Sequence, residues 1–585
     1  MKKNANFKFV LFPVIIWLSL FVLLQLFFRY NYYVVEGTNL FLFDRYYLLE
    51  ELKQPGGFAI LASKFLIQFY AYPLLGAVII ATLLTAVCVQ LMVILKQMVP
   101  NHFYPLLYVL PVILLLFCHF DLNFYLHGIV AIVLMLATFQ MYLKQKKLYL
   151  RMVYSLLAVP LLFGIVCSVS LLFAVSVLTW ECLKRSPKAF WFIIPLVEAV
   201  IIAFGSVFFS IVGDFRFAFL PDMYYQFLIA SPPYMLYYTW ISIPVVCCIA
   251  WLMRKRKDIN TTRQWVEICI QATIMVVICW VGILRYSELR SMKFREIDYY
   301  ARNSDWDKVI SRCQGPLENY LYLINLNMAL ANKGLLADNM FGFDQKGPAG
   351  LSLEWNGQYS VTALLSDYYF TVGNMAGALR TAFEGNIVSG NESVRMIKRM
   401  IQVYLVYGNY PIAERHLNVL EKTLCYRQWA RAHRRFLYND KAIDSDPLLG
   451  TKRRTMVDKN YLYTIENPDF ILAETARYNP SNKTAIEYLG AIHLLSKDLW
   501  AFEAFLKEFY GSNTLPVLPR SFQEAVVILY EPEPEKWQYY QINDNVIARF
   551  NQFKQDYMML RNNPAHRATV ERNYKDTYWY YLMIK

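Results

Sequence analysis

The chain has 585 residues, of which 57% are hydrophobic and 17% charged, with a mean hydropathy of +0.29, too apolar for an ordinary soluble protein of that size. Its formal net charge of +14 is uneven: residues 1–285 hold 22 Lys and Arg against 11 Asp and Glu, and residues 286–585 hold 36 against 33. The basic excess therefore lies where loops orient membrane spans, and no basic stripe on the C-terminal half points to nucleic acid.

The first element is "MKKNANFKFVLFPVIIWLSLFVLLQLFFR". Its apolar run is about twice the length of a signal-peptide core and no small-x-small cleavage site follows, so it reads as a retained span near 8–28. Further apolar runs long enough to cross a bilayer fall near 71–95, 103–118, 125–143, 189–209, 235–253 and 265–284. The run 152–183 would measure roughly 48 Å as one helix, too long for a single span. Both of its flanks are basic, "KQKKLYLR" and "KRSPK", which predicts a hairpin of two short spans turning near "GIVCSVS". The total is then nine spans. An N-terminus on the cytoplasmic side puts Lys144, Lys146, Lys147, Arg151, Lys184, Arg185, Lys188 and Arg254–Lys257 inside. The odd count puts the C-terminal half on the opposite face, in a bacterial cell the periplasm. Eight of the ten cysteines lie in or beside apolar runs without metal-ligand spacing, which suits small packed hydrophobes.

Between the first two spans, "EGTNLFLFDRYYLLEELKQPGG" (36–57) sets four carboxylates among leucines and aromatics. As a helix it puts Asp44 and Glu51 on one face, with Leu48, Leu49 and Leu52 over the rest. "GGFAILASKFLIQFYAYP" is apolar except for Lys64 and Gln68, one turn apart. Two amphipathic helices on the outer membrane surface are the expectation. The remaining outward polar groups are Asp121 with His119 and His127 in one turn, then Asp214, Arg216 and Asp222 in another. Asp44, Asp121 and Asp214 could line a pocket in which Arg216 grips a lipid phosphate bidentately, or serve as the polar residues short loops need anyway. His119 and His127 lack a third obvious metal ligand and read as interfacial histidines. Glu198, in "PLVEAVIIAFG", falls inside a span, where an ionisable group is costly and reads either as a functional residue or as a protonated or pore-paired glutamate near the span's inner third.

The C-terminal half reads as helical and repetitive. "YYFTVGNMAGALRTAF" (368–383) and "VYLVYGNYPIAERHLNVL" (403–420) align at an offset of 35, with Gly373 against Gly408 and Ala378 against Ala413. Weaker copies are "DYYARNSDWDKVI", "LINLNMALANKGLLADNMF" and "YLGAIHLLSKDLWAFEAF", where Asn303 and Lys497 stand in for glycine. This pattern resembles the tetratricopeptide repeat family over most of 295–510. Beyond it, "LPVLPRSFQEA" and "EPEPEKW" read as loop. Val546, Phe550, Phe553, Tyr557 and Leu560 form one stripe of a capping helix, and "TYWYYLMIK" reads as a docked terminus. Cys313 and Cys425 could pair in an oxidising compartment.

The expected fold is all-α: a polytopic bundle over 1–285 with an amphipathic first outer loop (29–70), a repeat domain over 286–510, and a loop with capping helices over 511–585. The short first span, the loop "FDRYYLLEEL" and the paired short spans resemble the GT-C class of integral-membrane glycosyltransferases. That resemblance implies transfer of a sugar from a polyprenyl-phosphate donor at the outer face. It also implies a loop carboxylate that acts as base or positions a divalent metal, at Asp44 or alternatively Glu36. Here Arg45 follows Asp44, where many of that class carry a second acid, so Asp44 reads either as catalytic or as an ion-paired interfacial residue. The whole chain also resembles an uncharacterised bacterial family of multi-pass proteins with periplasmic repeat tails, which implies architecture and no activity. Two functional readings follow: a transferase of envelope or surface-glycan biogenesis, or a membrane-anchored scaffold that takes a protein partner on its repeats.

Overall fold

The computed structural model describes residues 2–98, 104–185, 188–226, 231–254, 261–287, 289–457 and 468–585. Among them there is no strand, and one isolated antiparallel bridge joins Phe124 to Tyr225. Two compact units are present: Met1–Met292 with Lys422–Cys425, and Lys293–Glu421 with Tyr426–Lys585.

Among the described residues of the first unit, seven helices are long and apolar enough to cross a membrane: Val10–Phe27, Pro73–Lys96, Leu126–Lys144, Leu148–Val166, Ala189–Phe208, Tyr234–Met253 and Trp265–Tyr286. Gly57–Ala71, Pro105–Phe120 and Val169–Leu183 are shorter apolar helices. Pro73–Lys96 shows why the unit wants lipid. Ala77, Ile80, Ala81, Leu84, Val87, Cys88 and Leu91 are fully buried at helical spacing, yet Leu74, Val89 and Val93 on the other side are exposed. A helix apolar all round, with only one side covered by protein, matches hydrocarbon rather than water.

The run 152–183 is two helices, of 19 and 15 residues. They part at Cys167, whose left-handed φ of 57° ends the first helix while its N–H still reaches the Phe163 carbonyl. At 1.5 Å per residue the second helix is about 22 Å long, short of a typical hydrocarbon core. A buried ion pair joins the hairpin to its predecessor: Arg151 meets Glu181 at 2.7 Å, and the Tyr142 hydroxyl donates to the same carboxylate at 2.7 Å. Of the basic clusters expected inside, Lys255, Arg256 and Lys257 lie outside the described residues.

The first outer stretch departs from expectation in two ways. Asp44 is not on a helical face shared with Glu51; it precedes the helix Arg45–Lys53 in extended conformation and caps it. An aspartate with free N–H groups two and three residues ahead gains more as a cap than inside a helix. The second helix, Gly57–Ile67, is held by the bundle as well as by any surface it meets. It buries Gly57, Ala59, Leu61, Ser63 and Ile67 against Leu126–Lys144 and Leu148–Val166.

The second unit is built from helix pairs. Tyr359–Val372 with Met375–Val388, and Val394–Tyr407 with Tyr410–Glu421, repeat at the expected offset of 35. Gly373 and Gly408 end the first helix of each pair at φ of 87° and 75°, a conformation glycine enters at no steric cost. In the weaker copies Lys497 takes that role, and so does Ser304 rather than its neighbour Asn303. Ala378 and Ala413 are fully buried where the paired helices meet. A short helix, Leu449–Thr455, lies across both pairs. Its Lys452 Nζ donates to the Thr371 carbonyl at 2.7 Å, and its Arg453 donates to the Leu405 and Val406 carbonyls. These are last-turn carbonyls, which lack the regular intrahelical partner; that of Leu405 also accepts the Gly408 N–H at 3.1 Å.

The proline-rich stretch read as loop becomes helix from Arg520 to Leu529, with Pro519 just ahead of it, a position that needs no N–H. The chain ends on Tyr578–Met583, where Trp579 is fully buried and donates to the Glu524 carbonyl at 2.7 Å. Cys313 and Cys425 are both free thiols.

Candidate functional site

The carboxylates expected to act are held by the fold. Asp44 accepts from the Tyr46 and Tyr47 N–H groups at 3.1 and 3.2 Å and receives the Lys422 ammonium at 2.6 Å, Lys422 being part of the same unit. The Lys422 hydrogen bond, helped by the Tyr47 N–H, holds the Asp44 pKa below its ordinary value, which weakens it as a proton acceptor. Its partner is Lys422, not the adjacent Arg45. Glu36 is buried at the end of the helix Asn31–Glu36. Asp121 accepts from the Tyr225 hydroxyl at 2.6 Å and from Asn123. Asp222 takes the Tyr237 hydroxyl. Their two loops are stitched by Tyr125 N–H to the Tyr224 carbonyl and Gln226 N–H to the Asn123 carbonyl. Asp214 caps the short helix Phe215–Phe219, and Arg216 is exposed in its first turn. Glu198 sits within Ile193–Phe208 with one carboxyl oxygen buried and unpartnered. His119 packs on Phe28, and His127 stacks on Tyr125. No three His, Cys, Asp or Glu side chains among the described residues come together as a metal site.

The second unit holds a cavity of about 190 Å³ that no motif announced. Arg302, Arg395, Lys398, Arg399 and Lys452 line it against one carboxylate, Asp367. Arg395 and Arg399 lie four residues apart on one face of Val394–Tyr407. Both reach Asp367, Arg399 at 2.7 Å, and Arg395 also meets Asp298 at 3.0 Å. Each keeps its Nε buried without a partner. Burial by itself would raise the Asp367 carboxyl, but the two guanidiniums hold it low. Lys452 is 8% exposed, and its nearest acceptor is the neutral Thr371 carbonyl. Burial, with Arg399 nearby, pushes its ammonium down to about 7. Phe370 covers the floor, its ring 3.9 Å from the Arg399 guanidinium carbon. The sequence signal was present in "SVRMIKRM", three cations at i, i+3 and i+4. It reads as a solvated face until Lys452, about 50 residues on, closes over it.

These features define a helical, multi-pass membrane protein with a second unit of repeated helix pairs around a cationic cavity. A model described as a family of unknown function, DUF6057, matches residues 3–585, and the chain belongs to that family. No curated protein and no solved structure matches it.

Proposed function

We propose that the chain is an inner-membrane protein of bacterial envelope or surface-glycan assembly. In this reading its nine spans anchor it, and a periplasmic second unit of tetratricopeptide type, together with the C-terminal helices, serves as scaffold for a protein partner. The observation that carries the non-enzymatic reading is Asp44: one carboxylate caps a helix and pairs with Lys422, so its lone pairs are committed to the fold. A second reading, sugar transfer from a polyprenyl-phosphate donor at the outer face, draws on the pinned loops that present Asp121 and Asp222. In that reading Arg216 would hold the donor phosphate, Asp121 and Asp214 would line the substrate pocket, Asp44 or alternatively Glu36 would be the base, and a divalent metal would be the cofactor.

Topology is tested by fusing Lys585 to alkaline phosphatase and, separately, to a fluorescent protein that folds only in the cytoplasm. Phosphatase activity without fluorescence is expected, and the converse refutes the nine-span arrangement. Chemistry is tested by Asp44→Asn in cells that depend on the protein. Asparagine still caps, so the scaffold predicts growth and envelope composition close to wild type. Loss of function with the protein present at normal level would favour the transferase.

A further inference from the structure

The cavity in the second unit has no part in the membrane reading, yet it concentrates charge in a way folding alone does not explain. Isolated buried charges are expensive, and native proteins pair them. Here Arg395 and Arg399 share Asp367, Arg395 also takes Asp298, Arg399 also donates to Gln402 Oε1 at 3.0 Å, and Lys452 has a neutral carbonyl and the Phe370 ring but no carboxylate. Lys398 and Arg302 add further positive charge to the wall. Three cations, Arg395, Arg399 and Lys452, thus stand against two carboxylates, and the two guanidinium Nε–H donors lie buried and unsatisfied. A void of about 190 Å³ has room for roughly six waters, or for one tetrahedral oxyanion with part of an attached group.

We propose that this cavity is a binding site for a phosphate ester, the phosphoryl group held by Arg395, Arg399 and Lys452. Planar guanidinium forks match phosphate oxygens two at a time, and a compact ammonium supplies a third direction of approach. A phosphoryl group is preferred to a carboxylate because several cations converge on a single void and a dianion compensates more of them. Trp306 and Tyr426 on the wall, with Asn332 and Gln402 beside them, offer aromatic surface and amide hydrogen bonds to a polyol carried by the phosphate. The ligand is a sugar phosphate, free or as the phosphorylated end of a glycan. The site stands whether the membrane unit is scaffold or transferase, because no residue of that unit contributes to it.

The test is calorimetric titration of the detergent-purified full chain at about pH 6.5 in low chloride, with inorganic phosphate, glucose 1-phosphate, and glucuronate as the carboxylate comparator. Saturable binding of one equivalent of phosphate is expected, with glucose 1-phosphate tighter and glucuronate at least about tenfold weaker than either. Arg399→Lys keeps the charge but loses the fork, and Lys452→Met removes the ammonium; each should weaken phosphate by about tenfold or more. Hydrogen exchange of wild type with and without phosphate covers the case in which a variant does not fold, with protection expected in peptides from 394–407. No saturable binding up to about 10 mM, glucuronate bound as well as phosphate, undiminished binding in folded variants, or protection confined to other segments would each overturn the assignment. Glucose 1-phosphate no tighter than inorganic phosphate would overturn the sugar part of it.

Discussion

Lys452 offers the sharpest quantitative test of how the second unit is built. Its ammonium is 8% exposed and is held at about 7 in the folded chain, against roughly 10.4 when unfolded. The folded state therefore binds fewer protons than the unfolded state between those two values, and stability must rise with pH across that window. Below about pH 7 the penalty is fully present, roughly 4–5 kcal/mol at about 1.4 kcal/mol per unit. Lys452→Met removes it but leaves the Thr371 carbonyl unsatisfied, at a cost of about 1–3 kcal/mol. In phosphate-free buffer the variant should be more stable than wild type near pH 6, by roughly 2–3 kcal/mol. The advantage should shrink by about 2–3 kcal/mol by pH 9, as wild type deprotonates. The groups facing Lys452 do not titrate there: Arg395 and Arg399 stay charged, and Asp367 is held low by them. The assay is urea unfolding of the full chain in detergent, read by pulsed hydrogen exchange in peptides from 359–407. Parallel stability profiles for the two proteins from about pH 6 to 9 would refute the account, because a normal, solvated lysine would not distinguish them.

Other substitutions test other joints. Glu181→Ala strands the Arg151 guanidinium, whose side chain is 15% exposed, and should cost about 3–5 kcal/mol in detergent unfolding, with Glu181→Gln milder. Gly408→Ala should cost about 1 kcal/mol for its left-handed φ, since nothing crowds the position. Gly373→Ala should cost clearly more, because its Cβ would fall 2.5 Å from Asn482 Nδ2 and 2.9 Å from the Thr455 carbonyl oxygen; equal thermal shifts would contradict this. Trp579→Ala empties a fully buried site and should cost about 3–5 kcal/mol, seen as early proteolysis of the C-terminal helices.

Much of this architecture was legible because it follows from period and length. The helical character, the break near Cys167 and the 35-residue repeat each rest on local patterns that tertiary contacts reinforce. The left-handed turn at Ser304 was misplaced by one residue because, without glycine, nothing local marks which of two neighbours turns. Asp44 was misread for a related reason. A helix wheel assigns it a face, but only its partners Tyr46, Tyr47 and Lys422, the last nearly 380 positions away, show that it caps the start of the helix. The helix from Arg520 hid behind prolines that precede it rather than interrupt it. The cavity was out of reach because Lys452 sits in a basic run, "TKRRT", whose neighbours look solvated, and only long-range packing singles it out for burial.

The helix Leu449–Thr455 carries a mechanical consequence. In a simple repeat array each pair touches only its neighbours, so the array bends at every joint and can open one pair at a time. Here one rigid segment grips the ends of two successive pairs, Lys452 on one and Arg453 on the other. Flexing that joint would pull a buried ammonium off its carbonyl, so residues 359–421 should move and unfold as one block. Any opening and closing of the repeat array is thereby displaced to joints outside this block, and the side of the cavity formed by Asp367, Arg395, Arg399 and Lys452 stays rigid while the rest of the array yields.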